Sequence, residues 1–217
     1  MCLVVSGGHT QLILMRSASW RIGKYKTVGE TLDDAAGEAF DKIARILGLG
    51  YPGGPAISSA AEKLETGNWK LETKLPRPMI SSKNLDFSFS GLKTAVLYLD
   101  RDLKKKLGKN KLPKDLISQI AAEAQRAIVD VLAFKTIKAA QKYEAKSIML
   151  SGGVSANKLL RSELQRNAEQ RGVKYFQPLP EYTTDNAAMI ALAGYFNHKS
   201  GTGDWKKVKT DANWELI

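Results

Sequence analysis

Two stretches of this chain carry residue types suited to holding an anion. Leu150-Ser151-Gly152-Gly153-Val154-Ser155-Ala156-Asn157 follows the short apolar run Ser147–Leu150 and leads into the helix-forming segment Lys158–Leu164. Leu3-Val4-Val5-Ser6-Gly7-Gly8-His9-Thr10 shows a similar pattern near the start of the chain. Glycine has no Cβ, so its backbone amides can approach a bound group closely. A helix start adds partial positive charge at the same point. Each stretch on its own is also a common tight turn. Two in one chain predict a pair of anion-cradling loops that face one ligand.

The segments around them indicate what positions these loops. Leu3–Val5 and Gln11–Met15 read as two strands joined by the first glycine turn, and Trp20–Val28 as a third strand. Thr31 offers a helix cap, followed by the acidic first turn Asp33-Asp34. Apolar residues then recur at helical spacing over Ala35–Leu47, and the run Gly48–Pro55 stops that helix. Ala56–Leu64 should be helical again. Residues 66–90 read as mostly irregular, except for Leu85-Asp86-Phe87-Ser88-Phe89-Ser90, whose alternation predicts a strand. A helix opening at Gly91 should fade into the lysine-rich stretch around residues 101–111. A long helix is expected over Lys114–Tyr143 with one core-facing stripe. Beyond the central glycine turn, a helix to about Arg171, a strand over Val173–Phe176 and a small-residue helix over Ala187–Phe196 complete the pattern, with a loosely ordered tail after Lys199. Strands first, then helices and strands in alternation, describe an α/β lobe: a mixed sheet with helices on its faces.

Composition narrows the classes of function. The 217 residues are 43% hydrophobic and 25% charged, as in globular proteins, and no apolar run approaches the roughly 20 residues of a membrane span. The single cysteine, Cys2, rules out an internal disulfide, so the expected compartment is the reducing cytoplasm. Met1–Val5 runs into the glycine turn without a basic leader. A net charge of +11 would attract a polyanion such as RNA or DNA, and from composition alone it reads equally as a solvated lysine-rich face that aids solubility. There is no His-Glu-x-x-His run and no Ser/His/Asp set whose context suggests a nucleophile, so a peptidase reading finds no support. A strand at residue 2 or 3 with nothing before it suggests a piece of a larger protein.

Taken in order, further motifs join the two glycine turns. They are Leu32-Asp33-Asp34-Ala35-Ala36-Gly37-Glu38-Ala39-Phe40-Asp41-Lys42, Tyr51-Pro52-Gly53-Gly54-Pro55, Phe87-Ser88-Phe89-Ser90-Gly91-Leu92-Lys93-Thr94 and Thr184-Asp185-Asn186. The ordered set closely resembles the TsaD family of tRNA N6-adenosine threonylcarbamoyltransferases, once labelled O-sialoglycoprotein endopeptidases. The resemblance runs from Leu3 to about Phe196. It implies an ASKHA fold (the actin, sugar-kinase and heat-shock-ATPase class), with residues 1–186 as the nucleotide-binding lobe and 187–217 as a C-terminal helix and tail packing on an upstream lobe. The implied reaction moves threonylcarbamoyl from threonylcarbamoyl-AMP to N6 of adenosine 37 in tRNAs reading ANN codons.

Carried over residue by residue, the resemblance gives Ser6, Gly7, Gly8, His9 and Thr10 to the adenylate phosphate and acyl region. Asp41 and Gly54 go to the ribose and adenosine part, and Gly152, Gly153 and Asn157 to further nucleotide contacts. Asp185 is the implied ligand of a divalent iron or zinc ion, which in the family acts as a Lewis acid. An aspartate at a helix start is otherwise most often a cap. The family's other metal ligands lie on a His-x-x-x-His helix upstream of the first glycine loop, whereas this chain has only His9 and His198. Asp185 is therefore expected to be its one metal ligand, and the chain alone to bind its nucleotide, threonylcarbamoyl-AMP or ATP, weakly and without turnover. Implied partners are tRNA and TsaB/TsaE-type or KEOPS-type proteins, or a second copy of the chain. The alternatives are a non-catalytic scaffold of the same fold or an ASKHA-type small-molecule kinase. No side chain stands out as a general base.

Overall fold

The computed structural model describes residues 1–16, 24–64, 73–197 and 209. Among these described residues, five strands form one mixed sheet: β1 (Cys2–Val5), β2 (Thr10–Arg16), β3 (Lys24–Glu30), β4 (Ser147–Ser151) and β5 (Lys174–Phe176), in the order β3-β2-β1-β4-β5. The first three run antiparallel, while β4 lies parallel to β1 and β5 parallel to β4. The helices are α1 (Ala36–Ile46), α2 (Gly53–Glu62), α3 (Ser90–Leu107), α4 (Lys114–Lys142), α5 (Lys158–Glu169) and α6 (Ala187–Asn197). Alternation in β1 and β2 buries Leu3, Val5, Leu12 and Leu14. Helical spacing in α1 buries Ala36, Ala39, Phe40 and Ile43 in the same core.

Helix α4 is the centre of that core. Expected to bury one stripe, it is buried on several sides, and its interior positions include Glu123 and Lys135. A buried charge needs partners. Glu123 has them in the Arg77 guanidinium and the Leu75 amide, and Arg77 also reaches Asp130 at 2.9 Å. Lys135 donates to Ser82 Oγ at 2.7 Å and to the Asn84 carbonyl. Burial, and then the charge of Lys138, lower the Lys135 pKa. These contacts pin the irregular segment 73–86 against α4.

Three further sequence expectations are corrected. Leu85–Ser90 is not a strand: it makes a single bridge, Phe87 to Thr31, and then turns into α3. The cause lies far away in sequence. The Asp33 carboxylate accepts from the Phe89 and Ser90 amides at 2.8 and 3.3 Å and so caps α3 from another segment. Helix α3 does not fade before the lysines but runs through Lys104, Lys105 and Lys106 to Gly108, which closes it at φ 61°. Lysine forms helix well, and cations suit a helix C-terminus. Helix α2 starts at Gly53 rather than Ala56, because the Gly53 amide is held by Asp41. The expected third strand is found at Lys24–Glu30, and residues 20–23 of that expectation lie outside the described residues, as does the tail apart from Lys209. The Ala187–Phe196 helix is present, with Ile190 66% and Tyr195 69% exposed.

The Arg77–Glu123 contact gives a stability prediction. Arg77→Met should leave Glu123 without its charged partner and destabilise the fold by about 3 kcal/mol. Urea denaturation measures this.

Candidate nucleotide cleft

Because β1 and β4 are parallel neighbours, both glycine loops leave the same end of the sheet. Strand β1 turns there into the 6–9 loop, and β4 into a 3₁₀ turn over Gly153–Ala156. The two come close: an added Cβ on Gly152, whose φ is +92°, would lie 2.3 Å from the Val5 carbonyl oxygen. Only glycine fits that position. Gly7 and Gly153 then line one cleft of about 940 Å³, walled by α1, α2, α4 and the start of α5. Ligands of open α/β sheets bind outside the carboxyl ends of the strands, and this cleft lies there.

The expected site residues divide into two sets. Gly7, Asp41, Gly54, Gly153 and Asn157 line the cleft. Ser6, Gly8, His9, Thr10, Gly152 and Asp185 are not among its lining residues. Thr10 is fully buried and its hydroxyl accepts from the Ala36 amide at 2.9 Å, so the side chain seats α1 behind the loop. Ser6 Oγ accepts from the Gly8 and His9 amides at 3.3 and 3.0 Å. Those two amides are already partnered, so the first loop directs fewer amides outward than its sequence predicts. In the second loop Gly153 itself opens the 3₁₀ turn, which lies between Gly152 and α5, whose N-cap is Asn157.

Asp41 accepts from the Gly53 amide at 2.7 Å through Oδ1 and faces the cleft. Lys42, the neighbouring cation, instead pairs with Asp34 and Glu38. Asn157 accepts from the Leu160 amide and donates to Ser58 Oγ and Gln125 Oε1. Sequence reading missed Ser58 and Gln125. The one signal for Gln125 is a polar residue set within the apolar repeat of α4. Asp33, expected in the acidic first turn of α1, instead precedes that helix and accepts from Ser88 Oγ at 2.5 Å and Ser90 Oγ at 2.6 Å. Its partial burial works against the charge, yet these hydroxyls and the two backbone amides hold its carboxyl below the usual range.

The profile described as "TsaD: tRNA N6-adenosine threonylcarbamoyltransferase" matches residues 1–192. The chain belongs to this family. A curated protein of that name from Thermosipho africanus is 48% identical over 99% of this chain and 59% of its own length. Those from Syntrophomonas wolfei and Nitrosospira multiformis are 46% and 43% identical, over 91% and 100% of this chain and 54% and 60% of their own lengths. The chain thus spans a little over half the length of the curated relatives it matches. The crystal structure of T. kodakarensis HypF superposes with a TM-score of 0.50 at 20% identity, over 78% of this chain and 21% of that one. This likeness is one of fold and agrees with an ASKHA lobe.

The metal implied by the TsaD resemblance does not fit these residues alone. Asp185 is exposed, and the described residues contain no group of three His, Cys, Asp or Glu side chains able to hold an ion. One carboxylate does not make a transition-metal site. Nor does Asp185 cap α6, since Asn186 Oδ1 accepts the Met189 amide.

A Cβ on Gly53 would meet Asp41 Cα at 2.4 Å, whereas one on Gly54 meets nothing within 4 Å. Gly53→Ala should therefore cost about 2 kcal/mol or more in urea denaturation, and Gly54→Ala within about 0.5 kcal/mol of zero. A depressed carboxyl pKa contributes stability that is complete above the unfolded-state value of about 3.9 and is lost as pH falls through the folded value. Carboxyl NMR titration should place Asp33 below the ordinary range. Asp33→Asn should flatten the dependence of stability on pH below about 4.

Proposed function

We propose that this chain supplies the adenylate-binding lobe for threonylcarbamoyl transfer from threonylcarbamoyl-AMP to N6 of adenosine 37 in tRNAs reading ANN codons. The observation that carries the reading is the convergence of Gly7, Gly153 and the Asp41 carboxylate on one cleft. Glycine backbone at the sheet end suits the phosphate. The Asp41 carboxylate can accept from ribose hydroxyls while Oδ1 holds Gly53. The reaction breaks the bond between the carbamoyl carbon and the phosphate oxygen, forms a bond from that carbon to N6 and releases one N6 proton to solvent. AMP leaves with new negative charge on its phosphate, which backbone donors at the glycine loops would stabilise. The amine N6 is a weak nucleophile, so the main requirement is to place it against the carbonyl carbon. The net charge of +11 suits a tRNA partner. Threonylcarbamoyl-AMP as ligand, a divalent metal completed by residues from elsewhere, and TsaB/TsaE-type or KEOPS-type partners belong to the same proposal, as does a cytoplasmic location.

The test is isothermal titration of the chain with AMP. Binding is expected, and Asp41→Asn should weaken it about tenfold while keeping the Gly53 contact. Absence of any AMP binding, or an Asp41→Asn variant that binds as tightly as the parent, would remove the proposal.

A further inference from the structure

The polar cluster of Asn157, Ser58 and Gln125 joins α5, α2 and α4 on the wall of the cleft, and its hydrogen-bond polarity can be worked out from a fixed point. The fixed point is the Leu160 amide, a backbone donor, which requires Asn157 to present Oδ1 to it at 3.0 Å. The Nδ2 end of Asn157 therefore faces the other way, 3.2 Å from Ser58 Oγ and 2.8 Å from the Gln125 amide. An NH₂ at 2.8 Å must meet an acceptor, so the Gln125 atom there is Oε1. Ser58 donates its own hydroxyl to the same Oε1 at 2.7 Å. The three side chains close a ring in which both Asn157 amide hydrogens have acceptors.

One donor group remains. Gln125 Nε2 makes no hydrogen bond to the described residues, and it is not among the buried side-chain atoms lacking a partner. Gln125 is a half-buried side chain of the cleft wall. We infer that Gln125 is a ligand-binding residue, whose Nε2 hydrogens donate to an acceptor on the nucleoside part of the bound adenylate. Asn157 is the positioning residue that sets the Gln125 amide. This rests on the nucleotide reading of the cleft and revises one part of it, since the Asn157 hydrogens are already committed inside the ring. The nucleoside part is favoured because the cluster lies on the helical wall and the glycine loops lie at the sheet end.

The test uses the full chain, with AMP and adenosine as probes. Gln125→Glu keeps both acceptor contacts, to Ser58 and Asn157, but replaces the free donor with an acceptor. It should weaken both probes about tenfold. Asn157→Asp keeps the helix cap but places a carboxylate oxygen against Oε1, which turns the Gln125 amide around and should weaken both probes similarly. Combined with Gln125→Leu in a double-mutant cycle, Asn157→Asp should add nothing further. Thermal melts compare the folded state of each variant. If Gln125→Glu is folded and binds both probes like the parent, or loses AMP but not adenosine, the inference fails and the nucleotide reading stands. Additive losses in the cycle would return the direct contact to Asn157 and overturn the assigned roles. If the parent chain binds neither probe, both readings fall together. If Gln125→Glu does not fold, Gln125→Met serves as the donor-free variant under the same criteria.

Discussion

The close passage of two backbones, where β4 ends beside β1, constrains the whole site. Gly152 lies so near the Val5 carbonyl that no side chain fits between them. Parallel pairing of Val4 with Ser151 sets the two chains level, so both glycine turns open at one edge of the sheet. If β4 slipped by one residue, its side chains would exchange faces and the second loop would lose its place beside the first. The glycines therefore serve packing and access together: Gly152 permits the approach, while Gly7 and Gly153 leave the cleft wall as bare backbone.

Around this seam, side-chain hydrogen bonds replace regular structure. Thr10 seats α1 through the Ala36 amide, Asp41 seats α2 through the Gly53 amide, and Asp33 seats α3 through the Phe89 and Ser90 amides. Helix starts leave backbone donors without intrahelical partners. In each case the partner comes from a distant segment, so one contact satisfies a donor and also fixes where the helix begins. Asn157 does the same locally for α5 through the Leu160 amide. Several of the helix starts that face the cleft are therefore set by polar side chains, with the α4 core behind them.

The legible parts of the fold were those whose causes are local. The runs of Val, Leu and Ile in β1 and β2, the spacing in α1 and α4 and the glycine pairs were readable because each signal lies within one element. The family was readable because its motifs recur in order along most of the chain. Most of the misread parts, the lysines of α3 apart, have causes elsewhere in the chain. Phe87–Ser90 alternates like a strand, and only Asp33, more than fifty residues earlier, turns it into a helix start. The lysines of α3 were read by composition as a loop, although their helix propensity and the dipole favour helix. Thr10 belongs to the loop motif yet faces inward. Gln125 shows in the sequence only as a polar break in the apolar repeat of α4, and its role is hidden because its partners lie 67 and 32 residues away on other helices.

The central claim is that both glycine turns and the α1–α2 wall grip one nucleotide together. Backbone amide chemical shifts of the isotopically labelled chain, followed during AMP titration, test this most directly. The account predicts that Gly7, Gly54, Gly153 and Val154 shift together along one binding curve. Shifts confined to a single loop, or to a surface away from these residues, would contradict it.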